Sequence, residues 1–255
     1  MIFHQFLIQE CRFKMSLFYN PIINLETDSF IFSPEESKHI YKVLRKVPGE
    51  IIKVTDGKGL EWRGKLTQVG NKNTEAEKIE STIIKDIRYD LEIAIAPTKN
   101  NHRIEWFIEK ATEIGIKKIH FIKTENSERK VINLNRFKKI AINAMKQSKQ
   151  FYLPEIIDII KYKDFLLIKS NYQRLIAHCN KNNRIHLADI SLEFKPLIVL
   201  IGPEGDFSKN EVKAALLKKF LPISLGNQRL RTETAALYVT QTISILSHLQ
   251  KNKLE

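Results

Sequence analysis

The 255-residue chain carries 42 Lys and Arg against 29 Asp and Glu, a formal charge of +13, and 43% of it is hydrophobic. That length allows one large domain or two small ones, each with a real core. No apolar run approaches the roughly 18 residues of a membrane span, so no membrane partner is expected. The charge favours a polyanion, nucleic acid first and an anionic membrane second, or else a solvated lysine surface. Its two cysteines, Cys11 and Cys179, form no C-x-x-C or metal-ligand spacing. A reduced, cytoplasmic protein without a bound metal is therefore expected.

The segment 1–14 lacks the apolar core of a signal peptide, because Gln5, Gln9 and Glu10 interrupt it. Met15-Ser16-Leu17-Phe18 reads as a fresh start, so 1–14 is expected to be an upstream extension. Residues 15–88 read as a small barrel-like β module with one helix. Ser29 to Phe32 is a short strand. Ser33-Pro34-Glu35-Glu36 then opens a helix with an N-cap, a first-turn proline and a capping-box acid. Ile40, Val43, Leu44 and Val47 give this helix its apolar stripe, and Pro48-Gly49 stops it. Strands follow over Glu50–Thr55, Leu60–Val69 and about 74–85, joined by Asp56-Gly57-Lys58-Gly59 and Asn71-Lys72-Asn73 turns.

From Tyr89 the pattern changes, so the domain boundary is placed at 87–90 and a second domain over 89–255. Leu91–Ala96 is an apolar strand closed by Pro97. Ile104, Phe107, Ile108 and Ala111 mark a helix over 102–114, ended by Gly115. A strand over Ile116–Ile122 precedes a helix capped by Asn135, with Phe137, Ile140, Ala141 and Ala144 at helical spacing. Leu175–His178 and Leu197–Ile201 are strands. Ser208-Lys209-Asn210-Glu211 is a second capping box, opening a helix to about Phe220. The last strand is Leu221–Leu225. The last helix runs from about Glu233 to Gln250 on Ala236, Val239, Ile243, Leu246 and Leu249. Strands alternating with helices predict an α/β domain with a parallel sheet.

Two strand-to-helix loops carry the chemistry. One is Gly202-Pro203-Glu204-Gly205-Asp206-Phe207, the other Leu225-Gly226-Asn227-Gln228-Arg229-Leu230-Arg231-Thr232-Glu233-Thr234. Both fall at the sheet end where open α/β folds bind ligands. Neither a G-x-G-x-x-G nor a phosphate-binding G-x-x-x-x-G-K-[ST] is present, so the common nucleotide readings have no support. Gly202 and Gly205 would let a ligand approach the backbone, and Pro203 stiffens the loop. Glu204 can meet a cationic ligand group or a ribose hydroxyl, or simply satisfy loop amides. Arg229 and Arg231 stand near a helix N-terminus, where positive charge is unfavourable, which argues for a functional role. Thr232 or Thr234 can cap that helix. His178, ending a strand, is either a pocket wall or structural. A hydrolase built on Glu204 and Glu233 lacks a nucleophile or metal cluster.

In this order the two segments resemble the 16S rRNA (uracil-N3) methyltransferases of the SPOUT class, whose pattern is a GPEG loop, a strand, then LG…LRTETA. Upstream, Glu109-Lys110-Ala111-Thr112-Glu113-Ile114-Gly115 is similar to the family's KATELG helix, Thr124-Glu125-Asn126-Ser127 to its TERS-like segment, and Ala144-Met145-Lys146-Gln147-Ser148 to its EAAEQS-like helix. His39…Val43-Leu44-Arg45 and Asp56-Gly57-Lys58-Gly59 are similar to its PUA-like N-terminal module. The resemblance covers residues 15 to about 250. Asp206 departs from it, standing where a second glycine is commoner, and so do Asn227-Gln228, Met145 and Lys146.

The resemblance implies a trefoil-knotted C-terminal domain, a homodimer, and S-adenosyl-L-methionine as cofactor between the two loops. It implies a cofactor cradle of His178, Leu200, Gly202, Pro203, Glu204, Gly205, Leu225, Gly226, Leu230, Thr232 and Ala235. It implies 16S ribosomal RNA, in the small ribosomal subunit, as partner. His39, Lys42, Arg45, Lys46, Arg136 and Lys139 are the expected RNA contacts, with Lys58, Arg63 and Lys138 nearby in the same class. For the methyl transfer, Arg231 is the first choice for steadying the uracil anion, and Arg229 the second. A phosphate or interface contact is the other role open to Arg231. Glu204 is expected to be general base or cofactor partner. A non-catalytic RNA-binding assembly factor on the same fold is the alternative.

Overall fold

A computed structural model describes residues 16–168, 171–179, 184–193 and 195–251, so the expectation for 1–14 lies outside the described residues. The chain divides into two compact units, one of residues up to Asp86 with Lys146–Tyr152, the other of Ile87–Met145 with Leu153 onward.

The first unit is built on β1 (Leu17–Tyr19), β2 (Ser29–Ile31), α1 (Pro34–Lys38), β3 (Ile51–Thr55), β4 (Leu60–Gln68) and β5 (Glu75–Ile83). Its sheet order is β1-β3-β4-β5-β2, a curled half-barrel in which only β1 and β3 run parallel. Phe18, Phe32, Ile40, Ile52, Val54 and Trp62 fill it, and the Trp62 indole N–H donates to the Thr27 carbonyl at 2.8 Å. Ser33 caps α1 by accepting from the Glu36 amide at 3.2 Å. Beyond α1 the chain widens into a π turn over His39–Val43, with the Leu44 amide bonded to the His39 carbonyl at 3.0 Å. That wider turn rotates later residues off the core face. Val43 and Val47, expected in the stripe, are 66% and 58% exposed, while Ile40 is buried. Residues 146–152 join this unit through the Tyr152 hydroxyl, which donates to the Ile84 carbonyl at 2.6 Å.

The second unit contains β6 (Leu91–Ile95), α2 (Asn101–Ile114), β7 (Lys118–Lys123), α3 (Leu134–Gln147), β8 (Glu155–Lys161) and α4 (Tyr162–Phe165). It continues with β9 (Gln173–Ala177), β10 (Ile185–His186), β11 (Leu197–Ile201), α5 (Lys209–Leu217), β12 (Leu221–Ser224) and α6 (Thr232–Lys251). Its seven strands, in order β10-β12-β9-β11-β6-β7-β8, are all parallel. Side chains alternate across the sheet, as the strand period requires. Val199 and Ile201 of β11 pack with Phe107, Phe121 and Val239 on one face. Ile198 and Leu200 pack with Tyr162, Phe165 and Phe207 on the other.

Gly115 ends α2 in the left-handed conformation at φ 102°, and the Ser208–Glu211 capping box of α5 is complete. The cap of α3 is Asn133, not Asn135: the Asn133 side-chain oxygen accepts from the Arg136 amide at 3.1 Å. The last strand stops at Ser224, leaving Leu225 in the following loop.

Candidate functional site

The C-terminal ends of β9, β11 and β12 lie side by side in the sheet. The segments leaving them surround a cleft of about 870 Å³. Ala177, Ile201, Ile223 and Leu225 form its apolar floor, and α6 contributes Thr232 and Ala235. Arg184, Glu204, Asp206, Arg229 and Arg231 bring charge to its rim.

Hydrogen bonds fix the loops against one another. Thr232 Oγ1 donates to the Gly202 carbonyl at 3.0 Å. Arg229 Nη2 donates to the Glu204 carbonyl at 3.3 Å. The Glu204 carboxylate accepts the Lys99 amide at 3.2 Å, which ties the loop after β11 to the loop after β6. Thr232 thus bridges the two loops rather than capping α6, whose first turn begins with Ala235 N–H bonded to the Arg231 carbonyl at 2.8 Å.

Asp206 explains its own departure from the family's glycine. It takes φ 63°, a left-handed conformation that Asp tolerates better than most residues. Its two carboxylate oxygens accept the Cys179 and Phe207 amides, both at 2.8 Å. The side chain therefore clamps the loop after β9 to the loop after β11. Asn126 adds a second brace, donating to the Asp206 carbonyl at 3.0 Å.

A Cβ on Gly202 would stand 3.1 Å from the Phe207 ring, so the absent side chain makes room for that ring. Gly226 holds φ 118°, which excludes other residues without strain.

Burial lowers the pKa of His178, and Arg184 lowers it further against the opposing pull of Asp206. Both effects favour the neutral ring. Burial and Asp206 push the exposed Cys179 thiol up. The two arginines differ in a useful way. Arg229 is spent on the Glu204 carbonyl, whereas the exposed Arg231 guanidinium has no hydrogen bond or ion pair among the described residues.

His178, Gly202, Pro203, Glu204, Leu225, Gly226, Arg229, Leu230, Arg231, Thr232 and Ala235 all line this one cleft. Leu200 does not: strand alternation turns its side chain into the core of the opposite face. Gly205 is not part of the lining either, and a Cβ there would stand 3.3 Å from the Asn126 Cβ. Arg184, Cys179, Asp206 and the Lys99 amide were not among the expected site residues.

The expected RNA contacts divide. His39, Lys42, Arg45 and Lys139 are exposed. Lys46 is paired with Glu50 at 2.9 Å. Arg136 is committed to a two-pronged pair with Glu105, at 2.5 and 2.8 Å, which holds the Glu105 carboxyl below its usual range. No group of three or more His, Cys, Asp or Glu is placed to hold a metal among the described residues. No described helix is long and apolar enough to cross a membrane.

Family comparisons agree with this architecture. An RNA methyltransferase domain model matches residues 85–244, and an RNA methyltransferase PUA domain model matches 32–79. A ribosomal RNA small subunit methyltransferase E from Mesomycoplasma hyopneumoniae is 32% identical over 181 residues, covering 69% of this chain and 77% of its own. The crystal structure of a probable rRNA-methyltransferase from Porphyromonas gingivalis superposes with a TM-score of 0.86 at 37% identity, over 92% of this chain and 100% of that one. A ribosomal RNA small subunit methyltransferase E from Neisseria gonorrhoeae, solved with S-adenosyl methionine bound, gives 0.82 at 27% identity, over 91% and 98%. On both the family match and the full-length likeness, the chain belongs to the RNA methyltransferase domain family, in its form with an N-terminal PUA domain.

Proposed function

We propose that this protein transfers a methyl group from S-adenosyl-L-methionine to N3 of a uridine in 16S ribosomal RNA. The observation that carries the reading is the unpartnered Arg231 guanidinium on the rim of the cleft. The cleft fits the cofactor: it has room, an apolar floor for a purine, and backbone edges from two loops already locked together.

The bound cofactor supplies an electrophilic methyl on a sulfonium sulfur. Breaking that S–C bond and forming the N3–C bond leaves the N3 proton to be removed. Uracil N3–H is weakly acidic, so charge builds on the ring carbonyls as the proton leaves. The Arg231 guanidinium donates to such a carbonyl and stabilises that charge. Arg229 is the less suited of the pair, because it already serves the Glu204 carbonyl. Glu204, exposed and oriented by the Lys99 amide, takes the proton or meets the cofactor's cationic end. Leu225, Gly226 and Leu230, with Ile201, Ile223 and Ala235, would hold the adenosine portion.

The working unit is a homodimer. Trp106 of α2 and Tyr238, Ile245 and Leu249 of α6 are 42%, 36%, 50% and 53% exposed, large apolar side chains that a second copy would cover. The last helix is threaded through a trefoil knot, as the family resemblance implies, and the protein works in the cytoplasm on the small ribosomal subunit. The alternative, an RNA-binding assembly factor without catalysis, leaves the preformed cofactor cleft without a purpose. Nucleoside mass analysis of 16S rRNA from a strain lacking the protein tests the reading. Loss of one N3-methyluridine is expected; an unchanged methyluridine content contradicts it.

A further inference from the structure

Beside the cofactor cleft, the loops after β6 and β7 form a second, open depression of about 580 Å³. Lys99, Glu128, Arg129, Lys130 and Val131 line it. Three cations face one acid there. Lys99 meets Glu128 at 3.0 Å, with side chains 77% and 57% exposed. An ion pair that wet is worth little and exchanges readily for another anion. Arg129 is different: its Nε and Nη2 donate to the Thr98 and Lys99 carbonyls at 3.0 and 2.5 Å, which fixes the loop that carries Lys99.

This depression is joined to the cleft. The Lys99 amide holds the Glu204 carboxylate at 3.2 Å, so the backbone that presents the Lys99 ammonium also orients a cleft residue. Both features sit at the same end of the same parallel sheet. We infer that the depression holds the phosphate backbone of the substrate RNA strand next to the target base, with Lys99 and Lys130 as the phosphate contacts and Arg129 as the positioning residue beneath them. An anionic strand matches the charge, and a base entering the cleft must bring its flanking phosphates close to the rim. The inference rests on the reading of the protein as an RNA methyltransferase and adds where its substrate strand lies.

The test is binding of full-length 16S rRNA transcript to the intact protein over a series of salt concentrations. The Lys99→Glu/Lys130→Glu variant is compared with Lys163→Glu/Lys213→Glu, which makes the same charge change on α4 and α5. The first variant should weaken binding at least about 10-fold more than the control. The neutral Lys99→Gln/Lys130→Gln variant should lower the magnitude of the log–log salt slope by roughly 1.4, about 0.7 for each single-strand phosphate that is no longer neutralised. Affinity for S-adenosyl-L-methionine, measured on the same preparations, should be unchanged and certifies the fold. Equal losses in the two charge-reversed variants, or an unchanged salt slope, would overturn the inference. Because the readout is RNA binding, it stands apart from the reading of function, whose failure is wild-type protein that binds no cofactor and methylates no RNA.

Discussion

Thr232 Oγ1 and the Gly202 carbonyl, 3.0 Å apart and buried, join the first turn of α6 to the loop that leaves β11. The two walls of the cleft are therefore one hydrogen-bonded unit. Thr232→Val keeps the shape and removes the donor, stranding a buried carbonyl. That loss costs about 1–3 kcal/mol. Thermal melting should show the destabilisation, and calorimetry a weaker affinity for S-adenosyl-L-methionine. A variant as stable as wild type with unaltered affinity would show that the bond does not shape the site.

The carboxylate of Glu204 serves either the proton or the cofactor, and Glu204→Gln separates these roles. The amide side chain still accepts the Lys99 N–H, so the loop keeps its shape. Normal cofactor affinity with turnover reduced by about 10²-fold or more is expected if Glu204 is the base. Weakened affinity with comparable turnover at saturation would assign it to the cofactor instead.

The pH dependence of stability reports on His178. Its folded pKa is depressed below the usual 6.5, by burial first and Arg184 second. The unfolded chain then binds the proton more readily, so stability is lost as pH falls from about 6.5 towards the folded value and is flat above. Urea unfolding between about pH 5 and 7.5 should show this slope in wild type and a shallower one in His178→Gln. Parallel slopes would mean that His178 titrates normally.

The apolar surface of α2 and α6 makes a claim about assembly. Tyr238 and Ile245 are seven residues apart and share one helical face. Tyr238→Asp/Ile245→Asp should shift the mass measured by light scattering from two chains to one. A wild-type protein that is already monomeric at micromolar concentration would remove the dimer from the account.

Much of the fold was legible because its signals are local. The N-cap at Ser33, the capping box at Ser208, the glycine after α2 and the apolar runs of β6 and β11 each announce themselves within a few residues. β8 was missed because Asp158 breaks its apolar pattern, as the sheet edge permits. The π turn after α1 was missed because helical spacing assumes the narrower α turn. In the site, residue types and loop order placed most of the cleft lining in advance. The bonds that shape it join distant positions: Asp206 to Cys179 across 27 residues, and Glu204 to Lys99 across 105. No local pattern encodes such partners, so the clamp role of Asp206 and the tether on Glu204 emerged only from the folded chain. Leu200 shows the converse: a residue adjacent to the site in sequence can be turned away by strand alternation.

Arg231 is the cleft arginine with no side-chain partner among the described residues. The most direct test measures turnover and cofactor affinity together in Arg231→Ala, with small ribosomal subunits that lack the modification as substrate. Turnover should fall by roughly 10²-fold, the scale of losing one oxyanion donor, while affinity for S-adenosyl-L-methionine stays within about twofold of wild type. Near-normal turnover in this variant would contradict the assignment of the uracil-stabilising role to Arg231.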